Sequence, residues 1–148
     1  MTKAVKIILA VLAVTLLLTI VFAFSIPFVN DAVANGVRRS LVELPPPEDT
    51  EIVESLYKAA KLVGNGNGMQ YLGAILLRTE LTYDEIRSYY TDAYDGEVFV
   101  EAQRTNEIDW VNGTLAFKSE LTEGESYYIV YSFGTAPSIF REFDVRGH

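Results

Sequence analysis

Residues 7 to 29 read IILAVLAVTLLLTIVFAFSIPFV, a run of 23 residues without a charge. A helix rising 1.5 Å per residue covers about 35 Å over such a run, enough for a hydrocarbon core of about 30 Å. The apolar core of a signal peptide is usually shorter, about 7 to 15 residues. The run therefore reads as an uncleaved transmembrane anchor, in contact with lipid over residues 7–29. Ala32-Val33-Ala34 fits the small-residue pattern of a cleavage site, so secretion after a cut behind Ala34 is the alternative.

Charge sets a direction for the span. Lys3, Lys6 and the terminal amine precede it, and Arg38 and Arg39 follow at some distance. The excess of positive charge near the first end places that end inside and the rest of the chain outside. The expected location is the cell membrane, with one pass and an extracytoplasmic C-terminal domain.

The rest of the chain excludes several chemistries. Cysteine is absent, which removes disulfides, thiolate zinc sites, cysteine nucleophiles and lipidated-cysteine anchors. The single histidine is His148, so a histidine-based triad or a multi-histidine metal site has no material. Every Asp and Glu follows the apolar run, and that part carries 20 acids against 10 bases. Such an acidic surface repels nucleic-acid phosphates. No cofactor or metal motif occurs, and none is expected.

Beyond the span, Val29, Val33, Val37 and Leu41 recur every four residues with polar residues between them. This is a narrow apolar stripe on a continuing helix. It reads as a juxtamembrane stalk, or as a seam that docks a partner membrane protein. Pro45-Pro46-Pro47 ends any helix and supplies a stiff extended spacer. The expected division is an anchor at 1–29, a juxtamembrane helix and proline-rich linker at 30–49, and a domain at 50–148.

Within that domain, residues 50–63 fit a helix face or a strand about equally. Residues 69–78, MQYLGAILLR, are apolar on both faces, as in a central strand. Between them lies GNGNG. A glycine-rich loop can cradle a phosphate, but a Walker loop needs Lys and Ser or Thr after its last glycine, and here Met69-Gln70 follows. The dinucleotide fingerprint opens a helix, whereas this loop opens a strand. A hairpin turn is the simpler reading, because Asn and Gly tolerate positive φ. Asn65 and Asn67 remain candidate ligand contacts under the other reading.

Thr82 and Glu85 have capping-box spacing, and Leu81 can pack on Ile86. A helix follows, with Ile86, Tyr89, Tyr90 and Ala93 on its buried face and Asp95-Gly96 at its end. Residues 97–103 read as a strand, residues 110–118 hold a hairpin signal at Asn112-Gly113, and residues 126–133 read as another strand. The tail from Ser138 adds a last strand or short helix. The order β-β-α-β-β-β predicts an α+β domain: a mainly antiparallel sheet with one packed helix behind an N-terminal transmembrane helix.

The runs LPPPEDTEIVES, KLVGNGNGMQYLGAILLR, LTYDEIRSYY and YYIVYSFG and the ending FDVRGH together resemble an uncharacterised family of small single-span membrane-anchored proteins of Gram-positive bacteria. The resemblance covers nearly the whole chain. It implies an anchored domain of this size and lends no catalytic or binding residue.

Few residues suggest chemistry. The acids Glu80, Asp84, Glu85, Asp92, Asp95 and Glu97 crowd the helix but lack a calcium-loop pattern, and acids at a helix start are ordinary dipole partners. Asp144, Arg146 and His148 would share one side of a strand and form a polar site, or belong to a solvated tail. Among nine tyrosines, Tyr128 is a candidate to line a groove for a peptide, glycan or partner, with core packing as the plainer role. No set of nucleophile, base and orienting group assembles. The expected function is a binding or interaction domain fixed to the membrane, as an accessory subunit of an envelope complex. One alternative is a hydrolase with Asp144 or Glu101 as acid–base groups. Another is capture of a strand on an open sheet edge.

Overall fold

The structure is a computed structural model describing residues 2–64, 68–110, 113–134 and 138–148. It begins with a single helix of 40 residues, α1 (Lys3–Val42), capped by the Thr2 side chain. Its first half is apolar and its residues are exposed, with Phe22 at its end touching the tail; this helix is long and apolar enough to cross a membrane. Its second half is part of the domain. The rows i, i+4 bring Ile26, Asn30 and Ala34 to one side, with Leu41 further along, and all four are buried.

The strands form two sheets. The main sheet has the order β1-β2-β6-β3 and is antiparallel throughout, from β1 (Thr50–Ala60), β2 (Gln70–Thr79), β3 (Phe99–Gln103) and β6 (Tyr127–Gly134). A separate hairpin pairs β4 (Glu107–Trp110) with β5 (Gly113–Ala116). The second helix, α2 (Tyr83–Ala93), joins β2 to β3. The chain is α+β, with the layout expected from the sequence and one more strand contributed by the hairpin.

The two central strands are apolar on both faces because both faces are covered. On one face Leu72, Ala74, Leu76, Tyr127, Ile129 and Tyr131 pack with Ile108 and Phe117 from the hairpin region. On the other, Ile75, Leu77, Tyr128 and Val130 pack with Leu41 of α1 and Ile86 and Tyr90 of α2. Strand alternation sends successive residues to opposite cores. The ambiguous segment 50–63 resolves as strand over Thr50–Ala60, with a register shift between Ile52 and Glu54.

Helix α1 crosses the sheet at very short range. A Cβ on Gly73 would sit 2.3 Å from the Arg38 amide nitrogen, so only glycine allows this approach. This crossing corrects one expectation. Of the stripe Val29, Val33, Val37 and Leu41, the last three are not free for a partner: Leu41 is fully buried in the core beside α2, and Val33 and Val37 pack on Ala34, Ala59, Met69 and Tyr71. The chain's own sheet fills the seam. The prolines lead from α1 to β1, and the Pro45 carbonyl accepts the Tyr89 hydroxyl at 2.6 Å.

Local signals behave as their chemistry requires. Thr82 accepts from the Glu85 amide while Glu85 accepts from the Thr82 amide, which completes the capping box. Of the expected buried face of α2, Ile86 and Tyr90 are buried, Tyr89 is half-buried, and Ala93 is exposed. The segment 61–69 connects two antiparallel strands, Ala60 opposite Gln70. Gly64 and Gly68 have φ of 84° and 135°, a glycine requirement of the turn. Asn65, Gly66 and Asn67 lie outside the described residues, as does Asn112 of the second turn.

Candidate functional site

The most elaborate polar arrangement lies where α1 leaves its apolar half. Asn30 is completely buried one turn beyond Pro27. Its amide nitrogen donates to Asp144 Oδ2 at 2.8 Å and to the Phe140 carbonyl at 3.4 Å. Its Oδ1 accepts from the Tyr71 hydroxyl at 2.8 Å and from Ser138 Oγ at 2.7 Å. Two donors and two acceptor sites are all the amide has, and all are used.

Asp144 is equally engaged. Its Oδ1 accepts from the Arg146 amide at 3.1 Å and from Arg146 Nε at 3.0 Å. Its Oδ2 accepts from Asn30 and from Arg146 Nη2 at 2.8 Å. Arg146 also reaches α1, donating to Asp31 Oδ1 at 2.8 Å and to the Pro27 carbonyl at 3.1 Å. The hydrogen bonds from Arg146 hold the Asp144 carboxyl down to about 2, against the opposing effect of burial and with help from Asn30. The same pairing, followed by Asp31, raises the Arg146 guanidinium above its ordinary value.

Two short 3₁₀ turns, Arg141–Phe143 and Val145–Gly147, shape this tail, and Asp144 caps the second through the Arg146 amide. A strand with period-two spacing is therefore not what brings Asp144 and Arg146 together. The tail is also tied to the β1–β2 connection, with the Lys61 amide donating to the Arg146 carbonyl at 2.9 Å and the Gly68 amide to the Gly147 carbonyl at 2.7 Å. The whole is a fastening that joins α1, β2 and the tail. Its polar atoms are saturated by one another, so Asp144 has no lone pair left for a substrate proton or a metal ion.

The remaining expected site residues are dispersed. His148 ends the tail, exposed, with Nε2 3.2 Å from the Glu142 carbonyl. Tyr128 is in the core between sheet and α2, and its hydroxyl donates to the Leu81 carbonyl at 3.0 Å. Asn65 and Asn67 are outside the described residues. Glu101 accepts the Tyr131 hydroxyl at 2.6 Å. Among the described residues no group of three or more His, Cys, Asp or Glu side chains could hold a metal ion.

Sequence reasoning singled out Asp144 and Arg146 but missed their partners on α1, Asn30 and Asp31, and the bonds of Tyr71 and Ser138 to Asn30. The available signal was Asn30 itself, a polar residue in the four-residue row of Ile26 and Ala34. A second unforeseen feature is an aromatic cluster where the hairpin meets the sheet. Phe99 stacks on Tyr131 at 5.3 Å, and Trp110 meets Tyr131 and Phe133 edge-on at 5.4 and 5.3 Å. Phe99, Trp110 and Phe133 are half-buried and pack against the core on the hairpin face of the sheet. Compared with known proteins, the chain matches no family model, no curated protein and no solved structure.

Proposed function

We propose that this chain is a single-pass protein of the cell membrane whose domain lies outside and serves as a binding or interaction module, an accessory subunit of an envelope complex. The observation that carries the reading is the continuity of α1: an apolar, unburied half followed without a break by a half that belongs to the domain core. A module built this way keeps a set height and orientation above the bilayer. Lys3 and Lys6 at the far end of the span support an inside N-terminus. The aromatic cluster of Phe99, Trp110 and Phe133 is the surface we assign to the partner, since half-open aromatic groups suit protein and glycan contacts. The proposal agrees with the resemblance to single-span proteins of Gram-positive bacteria.

The rival readings fit less well. Cleavage behind Ala34 would remove Asn30 and Asp31 and leave Asp144, Tyr71 and Ser138 without their buried partner. An acid–base role for Asp144 needs a raised carboxyl, and its surroundings lower it. Strand capture along β1 meets a bulge between Ile52 and Glu54, a feature that discourages edge pairing.

The chain lacks cysteine, so single-cysteine variants test the topology directly. Thr2→Cys and Lys118→Cys would be treated with a membrane-impermeant maleimide in intact cells of the native host. Labelling at 118 alone is expected. Labelling at 2 alone would invert the orientation, and recovery of the domain in the medium would refute the anchor. A photoreactive side chain at Phe99 should then give a discrete adduct with an envelope protein, lost on Trp110→Ala. Adducts that ignore Trp110→Ala would remove the aromatic surface from the proposal.

A further inference from the structure

The tail that fastens to α1 has an inverted surface. Asp144 is buried, while Ile139, Phe143 and Val145 are 81%, 61% and 84% exposed. A chain folded for water does the reverse. Two of these side chains, Phe143 and Val145, are also low on the molecule. The Phe22 ring meets Phe140 at 5.3 Å and Phe143 at 6.1 Å. Phe143 and Val145 face Ala23, Phe24 and Ile26 across an apolar groove of about 350 Å³.

Depth follows from counting along the helix. With Lys6 at the near edge, a hydrocarbon core of about 30 Å takes about 20 residues and ends near residue 26. Phe22 then lies about 6 Å inside that boundary, and so do the rings that touch it. Keeping the tail above the lipid would leave only residues 7–21 in the core, a span of about 22 Å, well short of what the bilayer needs. Polar groups take the level above: Arg146 pairs with Asp31 and donates to the Pro27 carbonyl, and the Arg141 guanidinium lies against Gly68.

We infer that the tail is an interfacial foot whose apolar side chains Ile139, Phe143 and Val145 enter the acyl region of the leaflet on the domain side, while Arg141, Glu142 and Asp144 stay at the headgroups. Phe143, Val145 and Ile139 face lipid tails, an acyl chain lies in the groove against Phe24, and the fastening of Asn30, Asp144 and Arg146 sits at the headgroups. The occupant is lipid and not a partner protein because the patch is continuous with the lipid-facing surface of α1, where Phe24 and Phe28 are 70% and 73% exposed. The depth of about 6 Å matches that of interfacial segments, about 5–10 Å. The domain therefore has two attachments to one bilayer, the span and the foot, and cannot swing about the span. This inference rests on the reading of α1 as a transmembrane helix.

The test uses the full chain in vesicles of phosphatidylcholine and phosphatidylglycerol, with Trp110→Phe as background. Phe143→Trp and, separately, Val145→Trp report on the foot, and Leu16→Trp reports on the middle of the span. Val145 has little packing to lose, so that variant is safe for folding. Lipids brominated high on the acyl chain should quench Trp at 143 and 145 several-fold more than lipids brominated near the chain end. Leu16→Trp should show the opposite order. Quenching at 16 with none at 143 or 145, together with ready quenching of both by aqueous iodide, would overturn the foot and leave the span intact. No lipid quenching at 16 would sink the span, and the foot with it.

Discussion

At the scale of single residues, the account turns on Asn30. A buried amide making four hydrogen bonds leaves several partners stranded when it is removed. Asn30→Ala should lower stability by about 2–3 kcal/mol, read as a fall in melting temperature of the full chain in detergent. An unchanged melt would mean that the fastening is ornamental. Asp144 adds a pH dependence whose sign is fixed. Its folded value is about 2, below the ordinary 3.8, so between these values the unfolded chain takes up a proton that the folded chain refuses. The contribution is complete above about pH 4 and is lost as pH falls toward 2. It amounts to about 2 kcal/mol. Asp144→Asn should therefore show a shallower loss of melting temperature than the parent over that window. Equal slopes would mean the carboxylate is not held by Arg146. Asp144 and Arg146 stood out in the sequence because charged pairs near a chain end are conspicuous. Asn30 did not, because its partners are 41, 108 and 114 positions away, and local pattern carries no trace of them.

At the scale of elements, α1 meets β2 closely over Gly73. Gly73→Ala would force a Cβ into the helix backbone and should destabilise by about 2 kcal/mol or more, since neither element can yield far. Tolerance of alanine in a urea melt would show that α1 does not cross there. Thr82→Ala should cost about 1 kcal/mol through loss of the capping box of α2. That helix was legible because its start signal is local. The central strands were legible for a similar reason, being apolar on both faces. The stripe of α1 is only part of its packed side. The row Val29, Val33, Val37, Leu41 looked apolar throughout, whereas the buried row passes through Ile26, Asn30 and Ala34. An asparagine that satisfies itself internally looks, in sequence, like a solvated position. The hairpin β4–β5 was only half visible, since four-residue strands leave little alternation to read.

At the scale of the whole molecule, the anchor and the domain are one body. A helix long and apolar enough to cross a membrane was plain from 23 uncharged residues, and an α+β fold from the order of the strands and the capped helix. That the same helix runs on to cover a sheet could not be read from periodicity, because an apolar stripe does not announce what will cover it. The consequence is mechanical. A stalk followed by prolines would let a domain drift, whereas a helix packed on β2 and fastened by Asn30 holds one orientation against the sheet. The measurement that tests this most directly is amide hydrogen exchange of the full chain in lipid nanodiscs. The account predicts that amides of residues 30–42 exchange as slowly as those of β2, and that both lose protection together in Gly73→Ala. Fast exchange over 30–42 beside a protected β2 would contradict it and return the segment to a tether.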